Sequence, residues 1–146
     1  LVDNGQVQYV FKDMPLTTIH PQAMLASSAA RCAAEQEDGA EQFVAMHKLL
    51  FERQGDWSGR SNAAQLFTVY AEELGADADA FATCLDSGQF DAQIMADMQE
   101  AAQLGINGTP AFVINGYPVM GAQPYTVFAE AVETLLAAAE DQPAGS

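Results

Sequence analysis

Two cysteines, two histidines and one Thr-Pro step are the residues of this 146-residue chain with distinctive chemistry to offer. Cys32 and Cys84 do not form a C-x-x-C, the spacing at which two thiols make a redox pair at a helix start. Together with His20 and His47 they match no metal-ligand spacing, so no metal site is expected. Each cysteine falls on the apolar face of a helical pattern. Two buried thiols acting as small hydrophobes and one structural bridge are both open readings. His20 reads as a helix-start residue and His47 as a packing residue on a helix face. Gly108-Thr109-Pro110 leads straight into an apolar stretch. Such a step is a place where cis peptide bonds occur, and an ordinary trans turn is the competing reading. No Gly-rich phosphate loop and no H-E-x-x-H occurs, and no cofactor is expected.

The elements that must position these residues follow from periodicity and turn chemistry. Residues 6–11 (Gln-Val-Gln-Tyr-Val-Phe) are rich in β-branched and aromatic side chains and predict a strand. Pro21 suits the first turn of a helix carrying Met24, Leu25, Ser28, Ala29, Cys32 and Ala33 on one stripe. A second helix presents Phe43, Met46, His47 and Leu50, and a loop over 55–59 holds Trp57. Ser61 is positioned to cap a third helix holding the apolar positions Leu66, Val69, Tyr70 and Leu74, closed by Gly75. Asp77 caps a fourth helix with Phe81, Cys84 and Leu85 inward, and a fifth carries Ile94, Met98, Ala101 and Leu104. Asn115-Gly116 between two apolar runs is a strong hairpin signal, because a type I′ turn needs positive φ at both central residues. A last helix begins near Pro124, and the polar residues 141–146 read as a frayed tail. A helical block between one strand and a hairpin–helix is an α/β pattern with a thin sheet.

Composition restricts the partners. Hydrophobic residues at 49% suit a globular chain, and no apolar run is long enough to insert into a membrane. Twenty acidic against five basic residues give a net charge of −15, which disfavours nucleic acid. No basic segment followed by an apolar stretch reads as a signal peptide.

The segment 7–16, the stretch 29–36 (Ala-Ala-Arg-Cys-Ala-Ala-Glu-Gln), 43–51 with His47, Trp57, and 105–116 around Gly108-Thr109-Pro110 stand in a telling order. In that order and spacing the chain resembles the DsbA-like thioredoxin-fold oxidoreductases. The resemblance runs from residue 5 to about residue 138. It implies a thioredoxin-like α/β fold with an inserted helical block. The implied boundaries are 1–16 (strand), 17–105 (helical subdomain), 106–140 (Pro loop, hairpin and helix) and 141–146 (tail). Members of that family begin with a strand and a C-x-x-C helix that have no counterpart here. The chain is therefore expected to be a fragment with a partial sheet, short of roughly 30–60 residues upstream by ordinary βα-unit sizes.

By the same resemblance, Gly108, Thr109 and Pro110 form the loop that receives an extended, cysteine-containing protein substrate. A redox partner protein is implied as well, and the location is extracytoplasmic. The oxidising compartment favours a Cys32–Cys84 disulfide. The other expectations are a non-redox binding scaffold and a relative of the glutathione-dependent isomerases, which lack a C-x-x-C.

Overall fold

Seven helices and one hairpin make up the regular structure of residues 1–140, the part that the computed structural model describes. The predicted tail at 141–146 lies outside the described residues. In chain order the elements are α1 (Ala23–Ala33), α2 (Gly39–Glu52), α3 (Gln54–Trp57), α4 (Ala63–Glu73), α5 (Ala78–Ser87), α6 (Asp91–Gln103), β1 (Ala111–Ile114), β2 (Tyr117–Met120) and α7 (Tyr125–Glu140). Two compact units divide them. One holds residues 13–100, and the other residues 1–12 with the chain from residue 101 on.

The helical unit is built around α1, which packs against α2, α4 and α5. Its buried residues are Ser28, Ala29, Ala30, Cys32 and Ala33, all small, so neighbouring backbones can approach it closely. Phe67, Phe81 and Met46 fill the remaining core and are fully buried, each contributing roughly 1.5–3 kcal/mol by leaving water. The Trp57 ring meets Phe67 edge-on at 5.2 Å, and its N–H donates to the Leu50 carbonyl at 2.9 Å. That satisfied donor lets a large ring sit in the core.

Helix ends obey local rules. The Asp77 carboxylate accepts from the Ala80 N–H at 2.9 Å and caps α5. Gly75, at φ 82°, closes α4, with the Ala76 N–H reaching the Ala71 carbonyl and the Gly75 N–H reaching that of Glu72. This is the Schellman arrangement, which needs a left-handed residue. Gly39 has a different reason to be glycine: an added Cβ would run into the Ala34 carbonyl oxygen of the preceding turn. Gly39→Ala is expected to lower stability by about 1–3 kcal/mol, overriding the helix-propensity gain. A lower urea midpoint by far-UV circular dichroism checks it, and an unchanged or higher midpoint contradicts it.

The second unit contains the antiparallel hairpin, in register Ala111↔Met120 through Ile114↔Tyr117. Asn115 and Gly116 turn it at φ 46° and 90°. Phe112 of β1 meets Phe128 of α7 at 4.7 Å, and Ile106 is buried.

Four expectations need correction. Residues 6–11 form no strand: a strand requires a ladder, and among the described residues the only ladder joins β1 and β2. Tyr9 and Phe11 still meet edge-on at 4.8 Å. Ser61 does not cap α4, whose N-cap is Asn62 without a side-chain bond. Val69 and Leu104 are exposed: on α4 the inward positions go to Phe67, Tyr70 and Ala71, and Leu104 falls one residue past the end of α6. Trp57 ends a short helix rather than lying in an open loop.

Candidate functional site

The predicted loop is positioned by the end of α6. Gly105, at φ 72°, lets the Ile106 N–H reach the Ala101 carbonyl at 2.9 Å and the Gly105 N–H reach that of Ala102 at 3.1 Å. This closure ends the helix, and Ile106 just after it is buried. Gly108 is half-buried, Thr109 and Pro110 are exposed, and the Thr109–Pro110 peptide bond is cis. β1 begins at the next residue, and the Pro110 carbonyl accepts from the Gly121 N–H at 2.9 Å, closing the open end of the hairpin. β1 has β2 on one side and no strand partner on the other among the described residues. An extended peptide can hydrogen-bond to such an edge.

Cys32 and Cys84 lie in the helical unit and form a disulfide, with Cα atoms 5.8 Å apart and no free cysteine remaining. The bridge staples α1 to α5, two helices already packed together. Cys32 is fully buried in the core, while Cys84 is half-buried.

A third constellation escaped sequence reasoning. The Arg31 guanidinium lies 2.7 Å from Asp13 Oδ2 and 3.0 Å from Asp97 Oδ2. The Asp13 backbone N–H also donates to Asp97 Oδ2, at 3.1 Å. Asp97 is almost fully buried on α6, and the Arg31 guanidinium sits 5.7 Å from the centre of the Phe43 ring. One signal was legible: Arg31 is the only charged residue in the small-residue stripe of α1, so its stem must run along the core. The carboxylates it meets come from distant chain positions and carry no periodicity.

His47 sits beside this cluster, with the Phe43 ring at 6.0 Å and the Phe51 ring at 5.0 Å. Partial burial lowers its pKa below the usual 6.5, and the Asp13 carboxylate opposes that in part. The folded chain therefore binds fewer protons at His47 than the unfolded chain, from the lowered pKa up to about 6.5. Stability rises with pH through that window and falls on acidification. His47→Gln is expected to remove this component, so the variant loses less stability than the natural sequence between pH 7.5 and pH 5. Urea midpoints at the two pH values check it, and equal losses contradict it. Of the sequence-predicted residues, the structure joins Cys32 to Cys84 and keeps Gly108, Thr109 and Pro110 in the other unit. Among the described residues no group of three or more His, Cys, Asp or Glu side chains could hold a metal ion. No helix among them is long and apolar enough to cross a membrane.

Comparison with known proteins adds a family and two relatives. A family model described as Thioredoxin matches residues 1–134. A protein of Salinispora tropica named Na(+)/H(+) antiporter NhaA 3 is 37% identical over 145 residues, covering 99% of this chain and 21% of that protein. Na(+)/H(+) antiporter NhaA 1 of Salinispora arenicola is 34% identical over 143 residues, covering 98% of this chain and 21% of its own length. The chain thus spans about a fifth of the length of the curated relatives it matches.

Proposed function

This chain belongs to the Thioredoxin family, and from that premise we propose that it is the substrate-receiving part of a DsbA-like thiol–disulfide oxidoreductase. The observation that carries the reading is the family match across residues 1–134, which takes in both the helical block and the loop–hairpin–helix segment. In this reading the redox C-x-x-C belongs to another segment of a longer protein. Gly108, Thr109 and Pro110 meet the substrate there, and the exposed Thr109 backbone aligns an extended peptide as an added strand beside β1. A thiolate at a helix N-terminus, its pKa lowered by the macrodipole, attacks the substrate sulfur. One disulfide then breaks as a mixed disulfide forms, and a second thiol resolves it. Cys32 and Cys84 are bonded to each other and form no C-x-x-C, and Cys32 is fully buried, so this reading gives them no part in exchange with a protein substrate. The bridge and the absence of free cysteines support an extracytoplasmic, oxidising location.

A second reading is favoured by the names of the two relatives: a non-redox thioredoxin-fold binding module carried by a longer protein. Insulin reduction separates the two. The full-length protein is expected to turn over insulin disulfides with dithiothreitol while the 146-residue chain alone is inert. A full-length protein without turnover sinks the redox reading and leaves the binding module.

A further inference from the structure

The Cys32–Cys84 bridge has two very different sides. Cys32 is fully buried among Ala29, Met46 and Phe81, and no external sulfur can reach it in the folded chain. Cys84 instead lines an open groove of about 490 Å³ between the C-terminal end of α1 and the face of α5. Glu35, Asp77 and Asp79 line the same groove, and no basic residue among the described ones does. Gln36 fixes its geometry, because its side-chain carbonyl accepts from the Asp77 N–H at 3.1 Å and ties the turn after α1 to the cap of α5. Thiol–disulfide exchange requires the attacking sulfur to reach its target, so access selects the sulfur that is attacked. Three carboxylates at the mouth of a groove lower the local concentration of anions and raise that of cations.

We propose that the bridge is a one-sided exchange site: small neutral or cationic thiols open it at Cys84, and anionic thiols are held off by the acidic groove. An external thiolate forms a bond to Cys84 Sγ, the Cys32–Cys84 bond breaks, and its electron pair leaves on Cys32 Sγ, which takes a proton from water. A second external thiolate attacks the mixed disulfide and releases Cys84 as a thiolate. Two thiols are oxidised to one disulfide while the protein bridge is reduced to two thiols. The inference does not depend on the redox reading above, because it concerns only these two cysteines.

The test treats the oxidised chain without denaturant, at low salt, with 2-mercaptoethylamine, 2-mercaptoethanol or 2-mercaptoethanesulfonate, followed by acid quench, alkylation and peptide mapping. The first mixed disulfide is expected on Cys84, with alkylated Cys32. Rates normalised to thiolate concentration are expected to fall from the cationic to the anionic reagent by roughly tenfold. At 0.5 M NaCl the spread should shrink to about twofold. The double variant Glu35→Gln, Asp79→Asn should narrow the low-salt spread to about threefold while leaving the neutral reagent's rate unchanged. Mixed disulfide on Cys32, or divided evenly between the two cysteines, overturns the one-sided site. Equal rates for the charged reagents, or a spread that the double variant does not alter, overturns the selection by the groove.

Discussion

Replacing both cysteines, as Cys32→Ala with Cys84→Ala, is expected to destabilise the chain by about 4 kcal/mol, or roughly 10–15 °C in Tm. The sequence separation of 52 sets the size, since opening a loop of that length returns its closure entropy to the unfolded chain. α1 and α5 also pack through side chains other than the sulfurs, so the folded state keeps its architecture. Because the effect acts mainly on the unfolded ensemble, the urea m-value is expected to rise as the midpoint falls. The chemically reduced natural sequence controls for the volume lost at Cys32, and its stability should fall by a similar amount. A reduced protein as stable as the oxidised one contradicts the cross-link's role. A fallen midpoint with an unchanged m-value would place the effect in core packing instead.

Arg31→Met carries the second large effect, a loss of about 3 kcal/mol. The guanidinium and both carboxylates are mostly shielded, with 17%, 12% and 7% of their side-chain surfaces exposed for Arg31, Asp13 and Asp97. An exposed i,i+4 pair such as Lys48–Glu52, at 3.7 Å, is worth only about 0.3–0.5 kcal/mol. Removing the cation leaves two carboxylates facing each other in poorly solvated surroundings, and Met fills only the space of the stem. Arg31→Lys should recover less than half of the loss, because one ammonium cannot reproduce a planar fork serving two acceptors. Here the m-value should stay constant, since the folded state is what changes. Urea unfolding of both variants checks the prediction. A loss under about 0.5 kcal/mol for Arg31→Met would mean that the cluster behaves as a solvated surface pair.

Local chemistry makes much of this fold legible in the chain itself. Asn115-Gly116 specifies a two-residue hairpin because few other pairs adopt positive φ twice, and the register Ile114↔Tyr117 follows from that loop length. Asp77, Gly75 and Gly105 mark helix ends for equally local reasons: a short carboxylate reaches an N–H three residues on, and glycine alone takes the left-handed closing position at little strain. The small stripe around Ala29 and Cys32 identifies the buried face of α1, since its spacing repeats with the helical turn. The loop at Gly108, Thr109 and Pro110 can likewise be located from the apolar run that follows it.

Only the tertiary structure decided the rest, and each case turns on a partner supplied by distant chain. Residues 6–11 have strand-like composition, yet a strand exists only as a ladder, and no ladder among the described residues includes them. Val69 and Leu104 satisfy a helical period but are exposed, because burial depends on what packs against a face as well as on its pattern. Asp97 is polar and nonetheless buried, held by Arg31 and by the Asp13 N–H from the other end of the helical unit. Cys32 and Cys84 were two apolar-face thiols until the packing of α1 on α5 brought their Cα atoms to bonding distance. Sequence alone therefore determined the backbone punctuation and the positions of the candidate residues, because dihedral preference and capping act within a few residues. Which of those residues meet, and which cysteine is buried and which lines a groove, was set by long-range packing, whose energy comes from surfaces that are adjacent only after folding.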